Sequence, residues 1–246
     1  MPWALITGAT GGIGRALVEA FTEAGYQVLG TDLTPKPVGF PCAQYLQIDL
    51  ERLAQEEDYA GTVFTEIDSV VADQGLDVLI NNAAIQILGS VDALSREDWR
   101  RSLDINLLAP FLLLQGLLKD LERTNGCIIN ISSIHARQTK RNFVAYATTK
   151  AALSGMTRAL AVELGPRARI NSIEPAAIDT PMLHEGFADK PSYYQQLENC
   201  HPQQRIGTPG EVARTALMLA AKDVGFIHGA CITLDGGISA RLFDPD

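Results

Sequence analysis

Short, mostly apolar runs recur along the chain, each closed by glycine or a polar residue: Trp3–Ile6, Gln27–Gly30, Tyr45–Ile48, Val78–Ile80, Cys127–Ile131, Ile170–Ile173 and Ala230–Leu234. Brief apolar runs without apolar/polar alternation are expected of strands buried on both faces. Between them the spacing turns helical. Val63, Ile67, Val70 and Val71 mark one face of Glu51–Asp73, and Ser95 with Asp98 reads as an N-cap and third-position acid opening another helix. Leu107–Leu121 is apolar nearly all round and is predicted to be buried on most sides. Ala147–Leu164 is rich in small residues that allow close packing, and Glu211–Ala221 follows the introduction Thr208-Pro209-Gly210. Strands alternating with helices predict an α/β protein: one domain over 1–246, with a doubly wound parallel sheet of about seven strands and helices on both faces. The stretch 184–204 is polar and aromatic with weak periodicity, and reads as a lid over a site.

Composition narrows the function. The chain has 246 residues, 46% of them hydrophobic, and 20 Lys+Arg against 29 Asp+Glu give a net charge of −9. An acidic balance argues against a general nucleic-acid or anionic-membrane binder. The longest charge-free apolar stretch, Ile105–Leu118, contains Asn106, Pro110 and Gln115 and falls short of the ~20 residues that span a bilayer. Cys42, Cys127, Cys200 and Cys231 are dispersed, without a CxxC pair, as free thiols of a reducing compartment would be. Met1-Pro2 leads straight into an apolar strand with no signal peptide. The expectation is a cytoplasmic protein with a small-molecule substrate, no membrane or nucleic-acid partner, and no bound metal.

The first strand runs into Thr7–Gly14, TGATGGIG, then a helix, a second strand and Asp32. Strand, glycine-rich turn, helix, strand and acid form a βαβ unit of dinucleotide-binding type. Gly8, Gly12 and Gly14 are spaced differently from the general G-x-G-x-x-G fingerprint, but the physics is the same. Glycines let backbone approach a pyrophosphate, and a helix N-terminus offers N–H donors and a positive dipole. Asp32 stands where a carboxylate bonds ribose hydroxyls and repels a 2′-phosphate. No Lys or Arg occupies Thr10, Gly11 or Leu33, and Arg15 is the one nearby cation, so NAD is expected rather than NADP.

A second constellation lies in Gly126–Ala161. Ser132-Ser133 closes the fifth strand, and Tyr146 and Lys150 share a helix face one turn apart. A serine across from a tyrosine–lysine pair is a proton-transfer device. Its bland counterpart is a strand-end cap, a packing tyrosine and a solvated lysine. Asn106 likewise reads as a helix N-cap.

Taken in order, TGATGGIG, Asp49-Leu50, NNAA at 81–84, Asn106, Ser133, YATTK at 146–150, the segment 175–180 and the terminal DGG resemble the short-chain dehydrogenase/reductase family over nearly the whole chain. Ser133 precedes Tyr146 by thirteen positions, as in that family, which selects Ser133 over Ser132. The resemblance implies a Rossmann-type fold and a hydride transfer between a nicotinamide and a secondary alcohol or ketone. Tyr146 would be the general acid/base. Lys150 would favour its ionised form, against a free pKa of ~10, and bond the nicotinamide ribose. Ser133 would donate to the substrate oxygen, and Asn106 would hold a water joining Lys150 to solvent. Gly8, Gly12, Ile13 and Gly14 would line the pyrophosphate, Asp32 the adenosine ribose, and Asp49 with Leu50 the adenine. Asn81 and Ala83 would border the cofactor ribose, and Pro175, Ile178 and Thr180 the nicotinamide. A homotetramer is also implied.

Two departures stand out. Ala84 replaces the glycine of NNAG, and Ala176, preceded by Glu174, replaces the glycine after Pro175. Alanine tolerates positive φ poorly, so these turns are expected to differ.

For the substrate, Gln86, His135 and His201 are candidates. Members acting on 3-hydroxybutyrate are similar at NNAAIQ and Ser-x-His, but they carry a lysine where this chain has Phe143; Lys140 and Arg141 lie out of register. Glucose dehydrogenases of the family are similar at Ser-Ser-x-His, AAIDTP and the FAD of 187–189. A sugar, polyol or hydroxy acid is expected. The basic run 137–141 is either a solvated loop or an attractor of anions. An NADP-dependent carbonyl reductase and a non-catalytic NAD(H) sensor stay open as alternatives.

Overall fold

The computed structural model describes residues 1–187 and 191–242. Its elements follow the order β1 (Trp3–Thr7), α1 (Gly12–Glu23), β2 (Gln27–Asp32), β3 (Gln44–Gln47), α2 (Leu50–Gln55), α3 (Glu57–Val71), β4 (Val78–Asn81), α4 (Arg96–Leu103), α5 (Ala109–Gly116), α6 (Leu118–Thr124), β5 (Cys127–Ile131), α7 (Val144–Leu164), β6 (Arg169–Pro175), α8 (Pro181–Phe187), α9 (Pro191–Cys200), α10 (Pro209–Ala220) and β7 (Cys231–Leu234). All seven strands are parallel, in the order β3-β2-β1-β4-β5-β6-β7. The order reverses between β1 and β4, which opens a crevice at the carboxyl ends of the strands.

Strand residues alternate between two cores. Leu5 joins Ile67, Leu113, Ile128 and Ile170 on one face. Its neighbours Ala4 and Ile6 join Leu17, Phe21, Val78 and Val212 on the other. Each fully buried Leu, Ile or Phe contributes on the order of 1.5–3 kcal/mol. The doubly wound α/β sheet predicted from the apolar runs is the fold observed.

Two predicted helices are broken. Glu51–Asp73 is interrupted at Glu56, whose backbone is extended, separating α2 from α3. Leu107–Leu121 begins in a π-helical turn, Asp104–Leu108, and bends by 60° between α5 and α6. The ring of Phe64 packs against Gly116, where a Cβ would come within 2.4 Å of its Cε1. Among the described residues no single helix is long and apolar enough to cross a membrane. The capping box Ser95/Asp98 forms as the sequence predicts, and Thr208 with Glu211 forms a second that the sequence reading did not name.

Candidate active site

Loops following all seven strands line one cleft of about 850 Å³, from Thr31–Leu33 and Ile48–Glu51 at one end to His201 and Ile238 at the other. That is the upper range of small-molecule sites.

At the first end, Gly8 has φ +62°, and a Cβ there would meet Ala83 Cα at 2.8 Å. A Cβ on Gly14 would lie 1.9 Å from the Gly8 carbonyl oxygen, and one on Gly12 would lie 2.8 Å from Thr180 Cγ2. The turn therefore brings bare backbone to the cleft wall. Helix α1 begins at N-cap Gly11, which makes no side-chain cap bond, so its first N–H groups face the cleft uncapped. This is the cradle an anionic phosphate requires. Asp32 Oδ2 accepts from Thr10 N at 2.9 Å and Thr10 Oγ1 at 2.7 Å, and Oδ1 accepts from Leu33 N at 2.8 Å. Thr10 thus ties the acid to the glycine turn, a link sequence reasoning missed. Arg15 turns away to Glu19 at 3.1 Å, and among the described residues no Lys or Arg lines this end. Asp49 and Leu50 line the cleft, with Asp49 also serving as N-cap of α2 through Glu51 N at 2.9 Å.

Ser133, Tyr146 and Lys150 meet midway. Tyr146 and Lys150 lie on the inner face of α7, and Ser133 ends the segment after β5. Burial raises the Tyr146 hydroxyl above its usual pKa, and a hydrogen bond with Ser133 opposes this. The depression by Lys150 that the resemblance implies is not seen in this cleft. Lys150 is 3% exposed, and burial lowers its ammonium to a pKa of about 8. Its Nζ donates to the Ile131 carbonyl at 2.8 Å and lies 5.6 Å from the Tyr146 ring centroid. Ser132 faces away: its Oγ donates to the Lys150 carbonyl at 2.9 Å, fastening β5 to α7.

Two predicted site residues sit elsewhere. Asn81 is 3% exposed, does not line the cleft, and donates to Asn130 Oδ1 at 2.8 Å within the sheet. The cleft wall at that loop is formed by Asn82, Ala83 and Ala84 instead. Asn106 is not an N-cap. It lies inside the π-turn, accepts from Ile85 N at 2.8 Å, and donates to Ile85 O at 2.9 Å and Thr149 Oγ1 at 3.1 Å. Both amide hydrogens are spent, so its side chain has none to give a relay water. Pro110 has no N–H, which deprives a carbonyl about one turn back, at Ile105–Asn106, of its helical donor. Ala84 and Ala176 are not among the positive-φ residues, so neither replaced glycine was needed for its turn.

At the far end, Gln86, His135 and His201 all line the cleft, as do Pro175, Ile178 and Thr180. His135 stacks on Phe143 with centroids 4.3 Å apart and lies edge-on to Tyr146 at 5.8 Å. Burial, helped by Lys140, lowers it to a pKa of about 4, so it is neutral. Lys140 Nζ sits 4.8 Å from the Phe143 centroid, and Gln138, Thr139 and Lys140 also line the wall. The basic run is thus divided: Lys140 faces the cleft while Arg137 turns inward to the carboxylate of Glu174. His201 follows α9 and is 2% exposed, with Nδ1 bonded to the Leu197 carbonyl at 2.8 Å. Part of the predicted lid, 188–190, and with it part of the FAD at 187–189, lies outside the described residues.

The family profile described as Enoyl-(Acyl carrier protein) reductase matches residues 8–239. The chain is 35% identical to 3-oxoacyl-[acyl-carrier-protein] reductase FabG of Aquifex aeolicus, covering 95% of this chain and 96% of that one. It is 32% identical to D-threitol dehydrogenase of Mycolicibacterium smegmatis, covering 97% and 93%. Among solved structures, ligand-free aldohexose dehydrogenase of Thermoplasma acidophilum superposes with a TM-score of 0.91 at 29% identity, covering 100% and 96%. 4-Hydroxyisoleucine dehydrogenase with NADH gives 0.88 at 29%, covering 98% and 100%. ElxO with NADP gives 0.87 at 26%, covering 98% and 99%.

Proposed function

The chain belongs to the short-chain dehydrogenase/reductase family and is an oxidoreductase using a nicotinamide cofactor, and on that premise we propose that it is an NAD(H)-dependent dehydrogenase of a polar secondary alcohol: a sugar, polyol or hydroxy acid. The observation that carries the cofactor choice is Asp32, held by Thr10 on the cleft wall with no cation beside it among the described residues. A 2′-phosphate there would meet a carboxylate and no counter-charge. The polar substrate is supported by Gln86, His135, Gln138, Thr139 and His201 around the far end.

The uncapped start of α1, with Gly12, Ile13 and Gly14, would hold the pyrophosphate. Asp32 would hold the adenosine ribose, and Asp49 with Leu50 the adenine. Ala83 would border the ribose, and Pro175, Ile178 and Thr180 the nicotinamide. When bound, the nicotinamide takes up or releases the hydride. Ser133 orients the substrate oxygen by donating a hydrogen bond. Tyr146 exchanges the proton at that oxygen. Neutral in the resting cleft, it is ready to donate in the reductive direction and must first lose its proton in the oxidative one. Lys150, with a pKa of about 8, passes protons near neutral pH and supplies positive charge beside the phenol. The carbonyl in the π-turn that Pro110 leaves without its helical donor would offer a water its next hydrogen bond. The chain is further proposed to associate with itself through the outer face of α7, where Val144 and Val162 are exposed; light scattering checks this.

The test is a panel of sugars, polyols and hydroxy acids with NAD, followed at the NADH absorbance, beside affinities for NAD and NADP in wild type and Asp32→Ala. NADH formation with a panel member, and a preference for NAD that Asp32→Ala erodes, support the proposal. Reduction of acyl-thioester ketones alone, or tighter NADP binding by wild type, overturns it.

A further inference from the structure

Glu174 is a carboxylate buried inside a strand, 1% exposed, at the last-but-one position of β6. Ser154 Oγ, on α7, donates to its Oε1 at 2.8 Å. Ser154 Oγ in turn lies 2.9 Å from Ser132 Oγ, at the end of β5. Arg137 Nε stands 2.7 Å from Oε2. Arg137 also donates through Nη2 to the Cys231 carbonyl of β7 at 3.4 Å. One carboxylate therefore joins the elements that carry Ser133, Tyr146 with Lys150, and the wall residues Pro175 to Ile178.

We propose that the Glu174–Arg137 ion pair is a positioning pair: it fastens the substrate-facing loop 134–143 to the end of β6 and so fixes where His135, Gln138, Thr139 and Lys140 stand in the cleft. This rests on the reading of the cleft as the active site. A carboxylate withdrawn from water needs a partner, and removing one member of such a pair leaves the other uncompensated. Arg137 is the cation that meets Oε2, so its backbone cannot drift outward without stranding that charge. The residues on either side point the other way: His135, Gln138, Thr139 and Lys140 line the cleft. A loop with one member paired to a buried carboxylate and its neighbours lining the cleft is set by that anchor. Gln138 adds a second fastening, donating from Nε2 to the Ser239 carbonyl at 3.1 Å. The middle of the loop, Arg137 to Asn142, is polar and basic and supplies no apolar side chain to hold it by burial.

Neither residue touches a reacting atom in this account, so the test reads position directly. Full-length wild type, Arg137→Met, Arg137→Lys and Glu174→Gln are treated with trypsin, and cleavage after Lys140 and Arg141 is followed by mass spectrometry. Release of the loop in Arg137→Met is expected to speed those cuts about ten-fold, with Arg137→Lys returning within about three-fold of wild type and NADH affinity within about two-fold throughout. Where a panel substrate is turned over, Arg137→Met is expected to raise KM about five-fold or more with kcat far less changed. Unchanged cleavage after Lys140 and Arg141 overturns the proposal, and so does a uniform rise at all tryptic sites, which reports general unfolding. Proteolysis does not depend on turnover, so an inactive wild type would refute the dehydrogenase reading and leave the ion pair still decided.

Discussion

Lys150 offers a sharp test, because its burial should be visible as a stability term. Its ammonium is 3% exposed and its pKa falls from 10.5 to about 8, with desolvation as the cause. Since the folded value lies below the unfolded one, the unfolded chain binds more protons between about pH 8 and 10.5. Stability from this group therefore rises with pH across that window. Below pH 8 the cost is present in full, about 3 kcal/mol for a fall from 10.5 to about 8. Between pH 7 and 9.5 the linkage relation returns about 2 kcal/mol. Lys150→Met keeps the length and apolar stem but removes the charge. It loses the bond to Ile131 O, worth roughly 1 kcal/mol, and leaves that carbonyl unsatisfied. The variant is thus expected to be as stable as wild type or up to about 2 kcal/mol more so at pH 7, with wild type gaining on it by about 2 kcal/mol at pH 9.5. Urea unfolding of both cofactor-free proteins at the two pH values measures this. Taking the difference cancels groups common to both proteins, and the window stays below the raised Tyr146. A stability difference that stays constant within about 0.5 kcal/mol between pH 7 and 9.5 would refute the buried-ammonium argument. A charge kept at that cost needs a use, and the neighbouring phenol is where it has one.

Other substitutions separate chemistry from scaffold. Tyr146→Phe is expected to bind NADH normally in calorimetry and to lose about 10²–10⁴-fold in turnover; activity within ten-fold of wild type would remove Tyr146 from the mechanism. Because burial raises the Tyr146 hydroxyl, oxidation rates should climb with pH beyond 9 while reduction stays flat until the phenol ionises; a bell centred at pH 7 in oxidation would contradict this. Ser133→Ala should cost turnover, whereas Ser132→Ala, which unties β5 from α7, should cost about 1–3 kcal/mol of stability and spare kcat; the reverse pattern in paired kinetics and melting would exchange their roles. Gly14→Ala forces a Cβ to 1.9 Å from Gly8 O and should abolish cofactor binding or folding. Gly61→Ala, within α3 with open space around it, should stabilise by about 0.5–1 kcal/mol; similar melting temperatures for the two would show the turn is not as tight as described.

What could be read from the residues alone, and what could not, divides by the range of the interaction. Buried strands, the glycine turn, the Ser95–Asp98 capping box and the Tyr146–Lys150 face are local patterns with a fixed spacing, and they are legible because burial or a backbone donor recurs at that spacing. Asn81 went to the wrong side because the paired asparagines at 81 and 82 cannot tell which parity faces the cleft; the sheet decides that through Asn130. The glycine at 116, where the helix breaks, faces Phe64, which is far away in sequence and fills the space a side chain would need. An all-round apolar helix has no phase to betray a π-turn, so Asn106 looked like a cap when its side chain is a brace for Ile85. Glu174 is the deepest case. A lone acid before a proline carries no period, and Arg137 sits in a basic run that composition assigns to solvent. Only the folding of β6 against β5 and α7 buries the carboxylate, and burial is what turns an ordinary surface arginine into an obligatory partner. The reaction is thus encoded in short motifs, while the fit of the substrate loop depends on a pair of charges that no local pattern joins.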